Sequence, residues 1–203
     1  MSIYRIFGDA SSGNCLKVKW TADYLGLAYD WIETSVVKRE TRRPEFLSLN
    51  PAGQIPLIIL PDGRRLAQSN AIITYLAAIE KSDLLPADPF ERAKVDEWMF
   101  WEQYSHEPYI AVRRFHKTLL GKRDDEIDPR LLENGARALS LMESQLSETP
   151  YMAGERVTLA DVALVAYTRF ADEAGFDLDE YPTVKGWVAR IERDLAIAPR
   201  EAA

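Results

Sequence analysis

The chain has 203 residues, 23.1 kDa, a formal net charge of -7, 47 % hydrophobic and 28 % charged residues, which places it among ordinary soluble domains and predicts two small domains rather than one. The acidic balance argues against general nucleic-acid binding, where a basic footprint is expected, and no run approaches the roughly 20 apolar residues of a membrane span. One cysteine, Cys15, excludes an internal disulfide, and with only His106 and His116 as histidines no metal constellation emerges. The opening Met1-Ser2-Ile3-Tyr4-Arg5 lacks the pattern of a secretory signal, so the expected compartment is the cytoplasm. Charge is uneven: residues 1–80 carry 9 Lys/Arg against 8 Asp/Glu, the remainder 16 against 24, which makes the first half the better host for a small anion.

Ile3 to Phe7 reads as a short buried strand. Cys15 to Leu25 reads as a helix with Leu16, Trp20 and Tyr24 on its apolar stripe and Gly26 closing it. Tyr29 to Ile32 alternates like a second strand, and Pro44 to Leu49 resembles a brief helix. Leu57 to Leu60 and Arg64 to Ala67 form a hairpin around Pro61-Asp62-Gly63. Ser69 then caps a helix running through Ile79. The order βαβ, α, ββα is buildable with a right-handed crossover.

Residues 82–89, with Pro86 and Pro89 among small and acidic residues, read as a linker between a domain at 1–81 and one at 90–203. Everything after it reads as helix. Phe90 to Phe115 is long and aromatic-rich, and Pro108 inside it removes one hydrogen bond and predicts a bend. Pro129 to Leu146 gives the next helix. Thr158-Leu159-Ala160-Asp161 is a capping box opening a third, whose role is to nucleate folding and not to do chemistry. Pro182 to Leu195 closes the domain.

Within the first half, Asn50-Pro51-Ala52-Gly53-Gln54-Ile55-Pro56 is the most informative stretch. X-Pro is the one common place for a cis peptide, and a proline opening a strand marks an edge or terminus. A cis bond at Ile55-Pro56 turns the Ile55 backbone outward, so that an extended ligand can pair with it as a strand would. Gln68 and Ser69, opening a helix just after the hairpin, offer side chains and an N-H to an anion.

These pieces, with the opening strand, the loop Ser11-Ser12-Gly13-Asn14-Cys15, and the later capping box, occur in one order over nearly the whole chain, and together they resemble the glutathione transferase family. The resemblance implies an α/β thioredoxin-like N-terminal domain followed by an all-α C-terminal domain. It implies glutathione as cosubstrate, with the Ile55 backbone beside Pro56 pairing with its cysteinyl unit and Gln68 and Ser69 holding its γ-glutamyl end. It also implies a homodimer, a small hydrophobic electrophile as partner, and detoxification as the role.

A thiol attacks as thiolate, so glutathione must be brought below the ordinary thiol value of about 8.5, and a hydroxyl donating to sulfur at a helix N-terminus does this. By resemblance to serine-type members Ser12 is that hydroxyl, with Ser11 the runner-up. Cys15 is a rival: as a first-turn cysteine it would make the protein a thiol transferase, or it is a buried hydrophobe. A glutathione-dependent isomerase and a non-catalytic interaction protein retaining the fold are the other readings. Among Lys38, Arg39, Arg42 and Arg43 any one could meet the glycyl carboxylate. Trp101, Ser105, Tyr109 and Arg113 recur every four residues with Tyr104 and His106 alongside, an aromatic wall suited to a hydrophobic acceptor.

Overall fold

The computed structural model describes residues 3–198 and 200; the first two residues, on which the reading of the N-terminus partly rests, lie outside them. The chain divides into two compact units, Met1–Ser82 and Asp83–Ala203.

In the first unit, β1 (Tyr4–Gly8), α1 (Gly13–Tyr24) and β2 (Tyr29–Glu33) form a parallel crossover. After α2 (Pro44–Leu49), β3 (Leu57–Ile59) and β4 (Arg65–Ala67) make a hairpin that leads into α3 (Ser69–Ile79). The strand order β2-β1-β3-β4 places β1 parallel to β2 and antiparallel to β3, with Ile6 opposite both Trp31 and Ile58. This is the thioredoxin-like arrangement. Every residue of β3 is buried, as expected of a central strand covered on both faces. The core beside it is Ile6, Cys15, Val18, Ile72, Ile73 and Leu76, all fully buried.

Two glycines shape the sheet, one at each end. A Cβ at Gly8 would sit 2.5 Å from the Trp31 ring and 3.1 Å from Cys15 Cβ, so glycine here leaves the room that the Trp31 ring occupies. In the hairpin, Gly63 takes φ 87°, and its N-H donates to the Leu60 carbonyl at 2.9 Å. The predicted stripe of α1 needs correction. Tyr24 is 43 % exposed, while Cys15, Val18 and Ala22 face the core alongside Leu16 and Trp20.

The second unit begins within the stretch read as linker. Leu84, Leu85 and Pro86 are buried, and the Leu84 carbonyl accepts from Leu159 N-H at 2.9 Å, so this segment packs with the helices that follow. Asp88 caps α4 (Pro89–Trp101), its carboxylate accepting from Phe90 and Glu91 N-H groups at 3.0 Å each. The predicted single bent helix is instead interrupted. A π-helical turn at Glu102–His106 separates α4 from α5 (Glu107–Arg114), and a second at Phe115–Leu119 follows. The cause is Pro108. It has no N-H to donate, and the widened turn absorbs the mismatch, with His106 leaving the helical region at φ -120°, ψ -62°.

Three further helices, α6 (Pro129–Glu148), α7 (Leu159–Thr168) and α8 (Pro182–Asp194), complete the unit. All ten residues of α7 are buried, the pattern of a helix surrounded by others. Its start is the predicted capping box. Asp161 accepts from Thr158 N-H and Met152 N-H, both at 2.9 Å, from Thr158 Oγ1 at 3.2 Å, and from the Trp187 indole N-H at 2.9 Å. Burial pushes this carboxyl up, and the four donors pull against it. No helix among the described residues is long and apolar enough to cross a membrane.

Candidate functional site

The loop between β1 and α1 presents two adjacent serines in different states. Ser11 is exposed, and its hydroxyl and N-H both bond the Asp9 carboxylate, at 2.6 and 2.9 Å. Ser12 stands at the N-cap position of α1 with extended backbone (φ -89°, ψ 117°), yet its side chain makes no capping bond. Its carbonyl accepts from Cys15 and Leu16 N-H at 3.0 and 2.9 Å. The helix is therefore started by the Ser12 main chain, and the side chain of this half-buried residue bonds the Cys15 thiol instead of capping the helix.

Cys15 is fully buried behind it. Burial pushes its thiol up from an ordinary 9.0 to about 11, although the Ser12 side chain and the Asp9 backbone pull it down. A thiol in that state stays protonated at neutral pH and is a poor nucleophile.

The segment before β3 is closed by Asn50, whose side chain donates to the Gln54 carbonyl at 2.7 Å and accepts from Ala52 N-H at 3.2 Å. The Ile55–Pro56 bond is cis. Pro56 is buried and Ile55 half-buried. Among the described residues, the Ile55 N-H and carbonyl make no hydrogen bond, so a main-chain donor and acceptor remain on this edge.

Gln68 precedes α3 with φ 72° and ψ 114°. For a residue with a Cβ this conformation costs about 1–3 kcal/mol, a strain that persists where the surroundings demand it. Ser69, 5 % exposed, is not the cap expected of it: Gln68 holds that position, and Ser69 follows as the first residue of α3 and donates its hydroxyl to Asn14 Oδ1 at 3.1 Å. That same oxygen accepts from Lys17 Nζ at 2.8 Å, and Lys17 Nζ also reaches Asn70 Oδ1 at 3.4 Å. Asn14, Lys17 and Asn70 have no role assigned from the sequence. Their one legible sign was a lysine beside the apolar Leu16 and Val18.

Of the basic run, Arg42 reaches the Ala52 carbonyl at 3.4 Å and Arg43 lies 3.4 Å from Glu40. Arg43 also borders a cavity of about 350 Å³ that includes Glu33, Glu40 and Glu45, a setting unsuited to a carboxylate ligand.

In the second unit, Trp101, Ser105 and Tyr109 line one cavity of about 230 Å³ with Asn134, Arg137, Ala138 and Leu141 of α6. Trp98 packs edge-on against Trp101 at 5.2 Å between ring centres. Three residues expected on this wall are elsewhere. Tyr104 is 83 % exposed, because the π-turn rotates it off the face. Arg113 is buried, donating to the Ala174 carbonyl at 2.7 Å and paired with Asp124, so its guanidinium holds the helix to the turn after α7. His106 is buried against Thr168, Nε2 to Oγ1 2.9 Å.

Residues 11–79 match the family model for the glutathione S-transferase N-terminal domain, and residues 99–194 that for the C-terminal domain. A solved glutathione S-transferase from Pseudomonas fluorescens is 44 % identical with a TM-score of 0.90, covering 100 % of this chain and 98 % of that one. One from Xanthobacter autotrophicus is 42 % identical with a TM-score of 0.87, covering 98 % and 95 %. Glutathione S-transferase 3 of Zea mays is 31 % identical over 198 residues, 92 % of this chain and 88 % of that protein. With both halves matched in order and whole-length relatives at this identity, the chain belongs to the glutathione S-transferase family.

Proposed function

We propose that this enzyme transfers glutathione to small hydrophobic electrophiles, with the Ser12 hydroxyl donating to the glutathione sulfur and holding it as thiolate. The Ile55 main chain pairs with the cysteinyl unit as one strand pairs with another. Gln68 and the Ser69 N-H take the γ-glutamyl end at the start of α3, where the helix dipole favours its carboxylate. Trp101, Ser105 and Tyr109 receive the electrophile.

The observation that carries the reading is the division of labour in the β1–α1 loop. Ser12 leaves its hydroxyl out of the helix cap, Ser11 commits its own to Asp9, and Cys15 is buried with a thiol that resists ionisation. A hydroxyl that donates to sulfur favours the charged form and lowers the thiol pKa, while the electrophile needs an apolar surface and supplies its own leaving group. The thiol-transferase reading through Cys15 loses its chemical basis in the same geometry. A cytoplasmic homodimer acting in detoxification completes the proposal.

Calorimetric titration with glutathione, followed by conjugation rates on an activated aryl chloride, tests it. Binding in the micromolar to millimolar range and a rate lost with Ser12→Ala are expected. Failure to bind at millimolar glutathione, or activity that survives Ser12→Ala and disappears with Cys15→Ala, would overturn it.

A further inference from the structure

Lysine is almost never fully buried unless its ammonium is held by hydrogen bonds or charge, because desolvation of that group costs several kcal/mol. Lys17 is 0 % exposed. It sits on α1 between Leu16 and Val18, where an aliphatic residue would satisfy the packing. What the ammonium touches indicates what it is for.

Nζ donates to Asn14 Oδ1 at 2.8 Å, one turn back on its own helix, and to Asn70 Oδ1 at 3.4 Å on α3. It therefore ties together the first turns of α1 and α3, the two helices whose starts carry Ser12 and Ser69. The chemistry also settles the Asn14 amide. An ammonium has three donors and no lone pair, so the group facing it must be the amide oxygen. With that oxygen turned inward, the buried Ser69 hydroxyl meets an acceptor and donates to it at 3.1 Å. The relay Lys17, Asn14, Ser69 thus fixes in place the residue whose N-H is assigned to the γ-glutamyl end of glutathione.

We infer that Lys17 is a positioning residue for glutathione: acting through Asn14, it orients Ser69 and locks the start of α3 against the start of α1. This rests on the proposed glutathione site. Its consequence is selective, since a misplaced Ser69 weakens the hold on the tripeptide more than it alters the Ser12 hydroxyl that meets the sulfur. Small displacements of a binding group cost heavily because the favourable geometry is narrow.

The test is steady-state kinetics with glutathione and an activated aryl chloride, on the full chain. Lys17→Met, which keeps the length and loses the charge, should raise the KM for glutathione about 10-fold while kcat at saturating glutathione stays within about 3-fold and the KM for the aryl chloride is unmoved, the signature of lost ground-state binding. Asn14→Ala should reproduce that split. The double variant should be no worse than the poorer single one, because residues acting in series are not additive. Lys17→Arg, which restores the donors, should recover most of the affinity.

A KM for glutathione unchanged in both single variants, a loss confined to kcat, or full additivity would overturn the inference. Should Lys17→Met not fold, as judged by circular dichroism, Asn14→Ala decides alone by whether its KM rises. Calorimetry on the unaltered protein separates the two levels. If it binds no glutathione, the site itself is wrong and the inference falls with it. If it binds and the variants bind equally well, only the role of Lys17 is wrong.

Discussion

The hydroxyl of Ser11 donates to the carboxylate of Asp9 at 2.6 Å, and this one bond separates two serines that look interchangeable in the chain. Ser12, its neighbour, starts α1 with its main chain and leaves its side chain out of the cap. Ser12→Ala should therefore lower kcat/KM at neutral pH by about 10- to 100-fold, the worth of a hydrogen bond to a charged group at about 1.5–3 kcal/mol. Its pH profile should move to higher pH, because removing a donor from the thiolate raises the thiol pKa. Ser11→Ala should stay within a few-fold. A pH–rate series on both variants checks the assignment, and equal losses would mean the loop does not discriminate.

Cys15 gives a prediction with a definite sign. Its folded thiol lies at about 11 against an ordinary 9.0, so between those values the folded protein binds more protons than the unfolded chain. The stability associated with the neutral buried thiol is thus complete below about pH 9 and is lost as the pH rises through 11, about 3 kcal/mol in all for a shift of this size. Urea unfolding of the unaltered protein and of Cys15→Ala, compared at pH 8 and near pH 11, isolates this contribution from other titrating groups. Native protein should also resist an aromatic disulfide reagent at neutral pH and react once unfolded. Rapid reaction in the folded state would contradict the burial.

Gln68 should show opposite effects on stability and binding. At φ 72° a glycine avoids the side-chain clash, so Gln68→Gly should raise the unfolding midpoint by an amount equivalent to about 1 kcal/mol. The same change removes a side chain assigned to the γ-glutamyl end and should raise the KM for glutathione several-fold. Thermal unfolding and kinetics measured on one preparation test both signs together.

Asp161 is a structural group. Its carboxylate accepts from two main-chain N-H groups, a hydroxyl and the Trp187 indole. Asp161→Ala strands these donors inside the second unit, at about 1–3 kcal/mol for each one left unmet. A drop of several kcal/mol in the urea-derived stability is expected, with glutathione binding by the fraction that stays folded unchanged. A mild loss would mean that water reaches the cavity.

Much of the architecture was legible in the chain because it depends on local rules. The capping box from Thr158 to Asp161, the Pro61-Asp62-Gly63 turn and the proline at the start of α2 each meet a backbone requirement within a few residues, and such requirements are written in adjacent positions. The X-Pro step at Ile55-Pro56 belongs with them.

Other features were settled only when distant segments met. That Arg113 braces Ala174 instead of facing Trp101 and that Lys17 is sealed in beside Asn70 both follow from contacts spanning many residues. Helical periodicity reports which positions share a face. It carries no information about which neighbour covers that face, and desolvation by the covering chain is what makes Cys15 inert and gives the Lys17 ammonium its fixed partners.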